Sequence, residues 1–139
     1  MNRKRIALVL MFVLIFNVFI VSSNASTATG VTPRWNNCAS VDAVFAVVNE
    51  TAEASFTYLA YSSMSSADFK VEIQKQAFWF IWNTLETWTT TTTAKDGYHI
   101  ITTPADGNGN YRAKFTLTFY GTDGTSDVVE DTIEFQYNA

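Results

Sequence analysis

Residues 111–119 read YRAKFTLTF, and this stretch decides the fold class. Its odd positions are all apolar or aromatic, whereas its even positions are all basic or threonine. Successive side chains of an extended chain point to opposite faces, so this alternation separates an apolar face from a polar one. Residues 111–119 are therefore predicted to form a strand that buries one face and exposes the other.

The same period of two recurs on both sides of this stretch, and turn-forming residues separate the repeats. The further predicted strands are 41–47, 54–60, 69–73, 98–102 and 129–137, with breaks at Asn49–Thr51, Ser62–Ser66 and Gly121–Gly124. The chain beyond residue 25 has no sustained helical period and is rich in residues that suit a half-buried sheet. The fold class is therefore predicted to be all-β. We expect a single antiparallel immunoglobulin-like β-sandwich of six to eight strands over residues 35–139, following an N-terminal signal-peptide helix.

The first 25 residues have the pattern of a signal peptide. Basic residues 3–5 precede an apolar run from Ile6 to Val21, and the small residues Ser23 and Ala25 follow. The alternative is an uncleaved anchor, but a membrane span needs about 20 apolar residues, whereas this run has 16 and includes Asn17. We therefore predict cleavage after residue 25, a flexible lead-in over 26–34, and a secreted domain that does not span the membrane.

The charge of the predicted mature chain restricts its partners. The 6 basic and 13 acidic side chains beyond residue 25 give a net charge of −7. Binding to nucleic acid requires a basic patch, so a nucleic-acid partner is excluded. The expected partner is an unknown extracellular protein, a glycan or a component of the cell envelope.

Several short motifs, in their order, give the chain a family resemblance. They are Arg34-Trp35, Glu53-Ala54, Ile73-Gln74-Lys75, the spaced set Trp82, Leu85 and Trp88, and Gly109 to Arg112. In this order the chain resembles small secreted β-sandwich proteins of Gram-positive bacteria with an immunoglobulin-like fold. Gly109-Asn110-Tyr111 is also similar to the tyrosine corner of such sandwiches, in which the phenol caps a backbone group of a loop. The resemblance implies export and a sandwich fold, and it implies no activity.

The segment after Lys75 departs from that family, in which it is polar and contains glycine. Here residues 76–82 read QAFWFIW. Either both faces of this segment are covered by the protein, or its aromatic rings are exposed. Exposed apolar patches mark contact sites, so the candidate ligand-binding residues are Phe78, Trp79, Phe80 and Trp82.

No residue pattern indicates catalysis, a cofactor or a metal. Asp106–Asn110 begins like a calcium loop, but Tyr111 stands where glycine is required and Leu117 where glutamate is required. His99 lies in a predicted strand, and Cys38 is expected to be a small strand residue rather than a link between chains.

Two further groups of polar residues receive structural interpretations. They are the threonine run 89–93 and the acids Asp123, Asp127, Glu130, Asp131 and Glu134, interpreted as a solvated strand and a solvated hairpin. The expected function is therefore a non-catalytic extracellular binding module, and the alternative is a membrane-active or bacteriocin-like protein.

Overall fold

A computed structural model describes residues 35–139, which form seven strands and no helix. The strands are β1 (Cys38–Val48), β2 (Thr51–Ala60), β3 (Met64–Phe78), β4 (Ile81–Thr92), β5 (Asp96–Pro104), β6 (Gly109–Gly121) and β7 (Ser126–Tyr137). The predicted signal peptide (1–25) and lead-in (26–34) lie outside the described residues. The all-β prediction is confirmed for residues 35–139, and so is the expected number of strands.

The strands form two antiparallel sheets. One sheet has the order β1-β2-β5, and the other has the order β4-β3-β6-β7. β3 and β6 lie in the middle of the larger sheet, and β2 lies in the middle of the smaller one. These three strands bury their apolar faces most completely, because each has neighbours on both edges.

The strand that decided the fold class has the burial pattern that its sequence predicts. Tyr111, Ala113, Phe115, Leu117 and Phe119 are all buried, and the residues between them are partly exposed. The predicted inward parity of residues 54–60 in β2 and 69–73 in β3 is confirmed in the same way.

An aromatic cluster joins the two sheets. Phe56 of β2 packs edge-on against Phe69 of β3, with ring centroids 5.2 Å apart, and against Phe115 of β6 at 6.1 Å. Tyr58 of β2 contacts Phe69 at 4.8 Å and Phe119 at 5.8 Å. Edge-to-face aromatic pairs at these distances add stabilisation beyond the apolar area they bury. The core is thus a layer of rings between the sheets.

The loop between β2 and β3 is shorter than the sequence predicts, because the predicted loop covers residues 62–66 and β3 begins within it. β3 already begins at Met64, which is fully buried and pairs with Gly121 of β6. The four serines around Met64 suggested a loop, but pairing with a neighbouring strand and burial of Met64 override that local preference.

The loop that enters β6 is fixed by Tyr111. Its hydroxyl donates a hydrogen bond of 2.5 Å to the backbone carbonyl of Gly107, while its ring is buried. The predicted cap of a loop backbone group by this phenol is confirmed. Gly107 and Gly109 both have positive φ, which explains why glycine occupies these turn positions.

Candidate functional site

The aromatic segment forms the tip of the β3–β4 hairpin. β3 ends at Phe78, β4 begins at Ile81, and these two residues pair across a turn made by Trp79 and Phe80. The exposed fractions are 65% for Phe78, 74% for Trp79, 82% for Phe80 and 50% for Ile81. Of the two alternatives that the sequence left open, exposure of the aromatic rings is the one observed for these four residues.

The tip lies at the end of its sheet. The ladder between β3 and β6 ends at Lys75, which lies opposite Tyr111. β6 itself begins two residues before Tyr111, at Gly109, so by the same register residues 76 and 77 still lie beside β6. Phe78 pairs with Ile81 of β4, and together with the two turn residues between them it forms the exposed end of the hairpin.

Polar contacts hold the base of the tip in place. The side-chain amide of Gln76 donates a hydrogen bond to the carbonyl of Trp79, and its oxygen accepts one of 2.7 Å from the Asn110 amide of β6. The rings of Phe78 and Trp79 stack with centroids 5.7 Å apart at an interplanar angle of 25°. The tip therefore presents a fixed apolar surface.

Trp82 lies apart from the other three candidate residues. It is half-buried at the base of the hairpin, and the guanidinium of Arg112 lies 4.1 Å from the centre of its ring. Arg112 in turn donates a hydrogen bond of 2.7 Å to Gln74, whose amide donates one of 3.1 Å to Thr84. This contact between a cation and an aromatic face positions Trp82 as a support of the hairpin.

The turn has an unfavourable backbone conformation at Trp79. Its φ is +46°, in the left-handed region that glycine and asparagine adopt most easily. Two-residue hairpins favour Asn-Gly or Asp-Gly for this reason. A tryptophan at this position places a large ring at the tip at a cost in backbone energy, and such strain is common at functional sites.

His99 lies among aromatic rings. The ring of His99 lies 5.1 Å from that of Phe56 and 5.1 Å from that of Trp88. Burial lowers the pKa of His99, because desolvation disfavours the imidazolium. The imidazole therefore packs as part of the aromatic cluster.

Cys38 and Asp127 form a buried pair that sequence reasoning only partly anticipated. Burial, followed by the nearby Asp127 carboxylate, raises the pKa of the Cys38 thiol to about 11, while a backbone hydrogen bond at Ser40 opposes the shift. One Asp127 carboxylate oxygen accepts hydrogen bonds from the backbone amides of Asn37 at 2.6 Å and Cys38 at 3.0 Å.

The acidic hairpin divides into inward and outward residues. Asp127 is buried, whereas Asp123, Glu130, Asp131 and Glu134 are exposed. Within residues 35–139, no group of three or more His, Cys, Asp or Glu side chains lies close enough to hold a metal ion. One sequence signal indicated that Asp127 faces inward. It has the same odd parity as Val129 in β7.

Threonines from two strands share the outer face of the larger sheet. Thr89 and Thr91 of β4 and Thr116 and Thr118 of β6 lie on either side of β3 and line an open groove of about 310 Å³. The sequence predicted one solvated row, and the sheet order adds the second. Phe69 also lines the groove, but it is 1% exposed and belongs to the core.

In the described part of the chain, no helix has the length and apolar character needed to cross a membrane.

Comparisons with known proteins give only distant structural neighbours. No family model matches the chain, and no curated protein matches its sequence. Wild-type OgpA from Akkermansia muciniphila is similar at a TM-score of 0.42 and 15% identity, over 77% of this chain and 31% of OgpA. The catalytically inactive OgpA bound to an O-glycopeptide substrate gives a TM-score of 0.41 and 14% identity, over 78% and 32% of the two chains.

A protein from Arabidopsis thaliana, known from a solution structure, is similar at a TM-score of 0.36 and 11% identity, over 83% of this chain and 87% of that one. The chain thus spans about a third of the length of OgpA. Likenesses at these TM-scores indicate neither an activity nor a ligand for this chain.

Proposed function

We propose that this chain is a secreted, non-catalytic binding module that contacts its ligand with the β3–β4 hairpin tip. The observation that carries the proposal is the exposure of four consecutive apolar residues, Phe78 to Ile81, at the turn of the β3–β4 hairpin. Contiguous exposed apolar surface of this kind marks contact sites in soluble proteins. Secretion rests on the signal-peptide pattern of residues 1–25.

The tip has the composition of an interface anchor. An aromatic side chain can bury about 150–250 Å² on contact, and each Å² of apolar area removed from water contributes about 25 cal/mol. Binding energy concentrates in a few such anchors, among which tryptophan is enriched. Because Gln76 and the Phe78–Trp79 stack fix the tip, little conformational freedom is lost when it binds.

We also propose an immunoglobulin-like topology for the sandwich. The strand order β1-β2-β5 and β4-β3-β6-β7 supports it, with the fourth strand added to the larger sheet rather than to the smaller one. The hydrogen bond from Tyr111 to Gly107 supports it as well, because a tyrosine at the entry to the sixth strand caps its loop in such folds.

The shape of the tip favours a ligand with an apolar depression. A narrow two-residue turn at the end of a sheet inserts into a concavity more readily than it lies along a flat sugar chain. Among the expected partners, this favours an extracellular protein or a component of the cell envelope over a free glycan. The net charge of −7 beyond residue 25 gives no general attraction to anionic surfaces.

Engagement of a lipid surface is the second candidate function. The same projection of uninterrupted apolar residues could enter the interfacial region of a bilayer, where tryptophan is favoured. The acidic net charge restricts this candidate to neutral lipid.

A paired set of variants tests the role of the tip. Trp79→Ser/Phe80→Ser removes the two most exposed rings. The matched control, Val44→Ser/Ile100→Ser, removes two apolar side chains that are 62% and 52% exposed on the outer face of the smaller sheet. The full chain and both variants are titrated onto washed Gram-positive cells and onto neutral phosphatidylcholine vesicles.

We expect the tip variant to bind cells at least tenfold more weakly, while the control binds as the parent chain does. Binding to cells without binding to vesicles would support the protein or envelope ligand. A blue shift of tryptophan fluorescence with vesicles would favour the lipid alternative. Equal binding to cells by the tip variant and the parent chain would contradict the proposal.

A further inference from the structure

The loop between β5 and β6 contains a sequence step at which asparagine is chemically unstable. Asn108 is followed by Gly109, and no other asparagine of the sequence precedes a glycine. The backbone nitrogen that follows an asparagine can attack the side-chain carbonyl carbon, which closes a five-membered ring in a unimolecular step. A side chain on the following residue hinders this attack, and glycine has none. Asparagine is one of the thermolabile residues of proteins, and it is most labile before glycine.

The structure leaves this step accessible. Asn108 is exposed and lies just before β6, which begins at Gly109. Glycines stand on both sides of it, so no neighbouring side chain along the backbone covers its amide. The side-chain oxygen of Asn108 accepts a hydrogen bond of 2.8 Å from the backbone amide of Ala139, which draws electron density away from the carbonyl carbon. Water and base therefore reach an amide that is polarised towards attack.

We propose that Asn108 is a site of spontaneous deamidation and that its isoaspartyl product releases the hairpin tip from β6. The Gly109 nitrogen bonds to the side-chain carbonyl carbon of Asn108, and the bond from that carbon to the side-chain nitrogen breaks. The amide proton of Gly109 leaves with that nitrogen as ammonia, and a cyclic succinimide remains. One water molecule then opens the ring. Cleavage at the side-chain carbonyl gives aspartate, whereas cleavage at the main-chain carbonyl gives isoaspartate, in which the backbone runs through the former side chain.

Isoaspartate places an additional backbone atom inside a loop that is closed on itself. The Tyr111 hydroxyl donates a hydrogen bond of 2.5 Å to the carbonyl of Gly107, and the Tyr111 ring is buried. Asn108 lies between these two fixed points. The extra methylene group must therefore be accommodated by residues 108–110, because Tyr111 cannot move without leaving the core.

Residues 108–110 include the contact that joins the hairpin tip to β6. The side-chain amide of Asn110 donates a hydrogen bond of 2.7 Å to Gln76, and Gln76 donates one to the carbonyl of Trp79 in the turn. A shift of Asn110 breaks the first of these contacts and leaves Gln76 without its partner on β6. The tip then loses part of its fixed conformation. The consequence of this loss for ligand binding rests on the proposed function, whereas the deamidation itself does not.

Ageing of the full chain tests the modification site. The folded chain is kept at pH 8, digested with trypsin, and the peptide 96–112 is analysed by mass spectrometry, in which deamidation adds about 1 Da. We expect Asn108 to deamidate within about tenfold of its rate in the guanidinium-unfolded chain. Asn49, an exposed turn asparagine that is followed by Glu50, should remain an amide over the same time.

Asn108→Gln is the matched control for the ageing experiment. It keeps the amide, but its longer side chain would have to close a less favourable six-membered ring, so this peptide should keep its mass. The proposal is overturned if the folded chain loses Asn108 more than about tenfold more slowly than the unfolded chain, because the fold then protects the step. Loss of Asn49 at the same rate as Asn108 overturns it as well.

Hydrogen exchange at residues 76–80 tests the effect on the tip without any ligand. The isoaspartyl form of the chain is isolated by ion-exchange chromatography and compared with Asn108→Asp, which carries the same charge on a backbone of ordinary length. We expect the backbone amides of residues 76–80 to exchange at least tenfold faster in the isoaspartyl form. Equal exchange would refute the release of the tip, and this outcome is separate from the cell-binding test because exchange does not depend on the ligand.

Discussion

Cys38 opens β1 as a thiol that the fold keeps neutral. It is buried beside Asp127, whose carboxylate is held in place by the backbone amides of Asn37 and Cys38. Burial opposes formation of a thiolate, and the negative charge of Asp127 opposes it further, so that together they raise the pKa of Cys38 to about 11. The thiolate is the reactive form of cysteine, so this residue is suited to packing and poorly suited to chemistry or to a link between chains.

The thiol is therefore expected to resist alkylation in the folded protein. At pH 8, a pKa of about 11 leaves about one thiol in a thousand ionised, against about one in ten at the ordinary value of 9.0. We predict that iodoacetamide labels the folded chain at least 100-fold more slowly than the chain in guanidinium, as measured by intact mass. Because the folded pKa is raised, the thiol's contribution to stability is complete below pH 9 and is lost as the pH rises towards 11.

A relocated thiol supplies the control for that measurement. The variant Cys38→Ala/Ser40→Cys moves the thiol two residues along β1 to an exposed position. It should be labelled at nearly the same rate in the folded and unfolded chains. Equal labelling of folded and unfolded Cys38 would contradict the assignment of a shielded thiol.

At the scale of single elements, the two-residue turns of the β1–β2 and β3–β4 hairpins differ in how well their residues suit a positive φ. The turn between β1 and β2 consists of Asn49 and Glu50, both with positive φ, and asparagine suits that conformation. The turn between β3 and β4 places Trp79 in the same region of φ, although tryptophan adopts it with difficulty. Local backbone preference explains the choice of asparagine in the first turn, but it does not explain the choice of tryptophan in the second.

Replacement of Trp79 by asparagine should therefore stabilise the domain. We expect Trp79→Asn to raise the free energy of unfolding by about 0.5–1 kcal/mol, because asparagine tolerates positive φ and no packed ring is lost from the core. Urea denaturation measures the change. Phe80→Asn is the matched control and should give no gain, since the φ of Phe80 is not positive. A loss of stability in Trp79→Asn would mean that the exposed ring stabilises the hairpin.

The strands of the core were predictable from sequence, whereas the ends of the elements were not. Alternation identified the inward residues of β2 and β6, because their buried faces require a strict period of two. The same rule could not interpret residues 78–82, since a turn resets the parity and neither turn residue is a glycine or an asparagine. Met64 was missed among serines for a similar reason, because its burial depends on pairing with Gly121, 57 positions away.

The candidate sites were predictable to different degrees. Phe78, Trp79 and Phe80 stood out as consecutive rings, but only the pairing of Phe78 with Ile81 shows that they form the exposed turn of a hairpin. The buried contacts of Asn37 with the start of β7 and the turn before it gave no sequence pattern at all. Asn37 is more than 80 residues from Asp123 and Thr125, and the antiparallel arrangement of distant strands brings them together.

At the scale of the whole molecule, stability depends on one shared layer of rings. No disulfide can form within a chain that has one cysteine, so contact between the sheets must come from side-chain packing. Phe56 is central to that contact, because its ring lies within 6.4 Å of Tyr58, Phe69, Trp88 and Phe115, measured between centroids. These partners lie on both sheets, so neither sheet buries its apolar face without the other.

Removal of this ring should therefore weaken both sheets together. We expect Phe56→Ala to lower the free energy of unfolding by about 3–5 kcal/mol, from the loss of buried apolar area and the cavity that remains. Val44→Ala on the outer face of the same sheet should change it by less than about 0.5 kcal/mol, because Val44 is 62% exposed. Urea unfolding is followed by tryptophan fluorescence, which senses chiefly the larger sheet, since three of the four tryptophans lie in β4 or in the turn before it. It is also followed by far-ultraviolet circular dichroism, which senses all strands. The two transitions should coincide in the parent chain and shift together in Phe56→Ala, because a core shared by both sheets cannot be lost from one alone. Two separated transitions would show that the sheets unfold independently, which the packing of Phe56 does not allow.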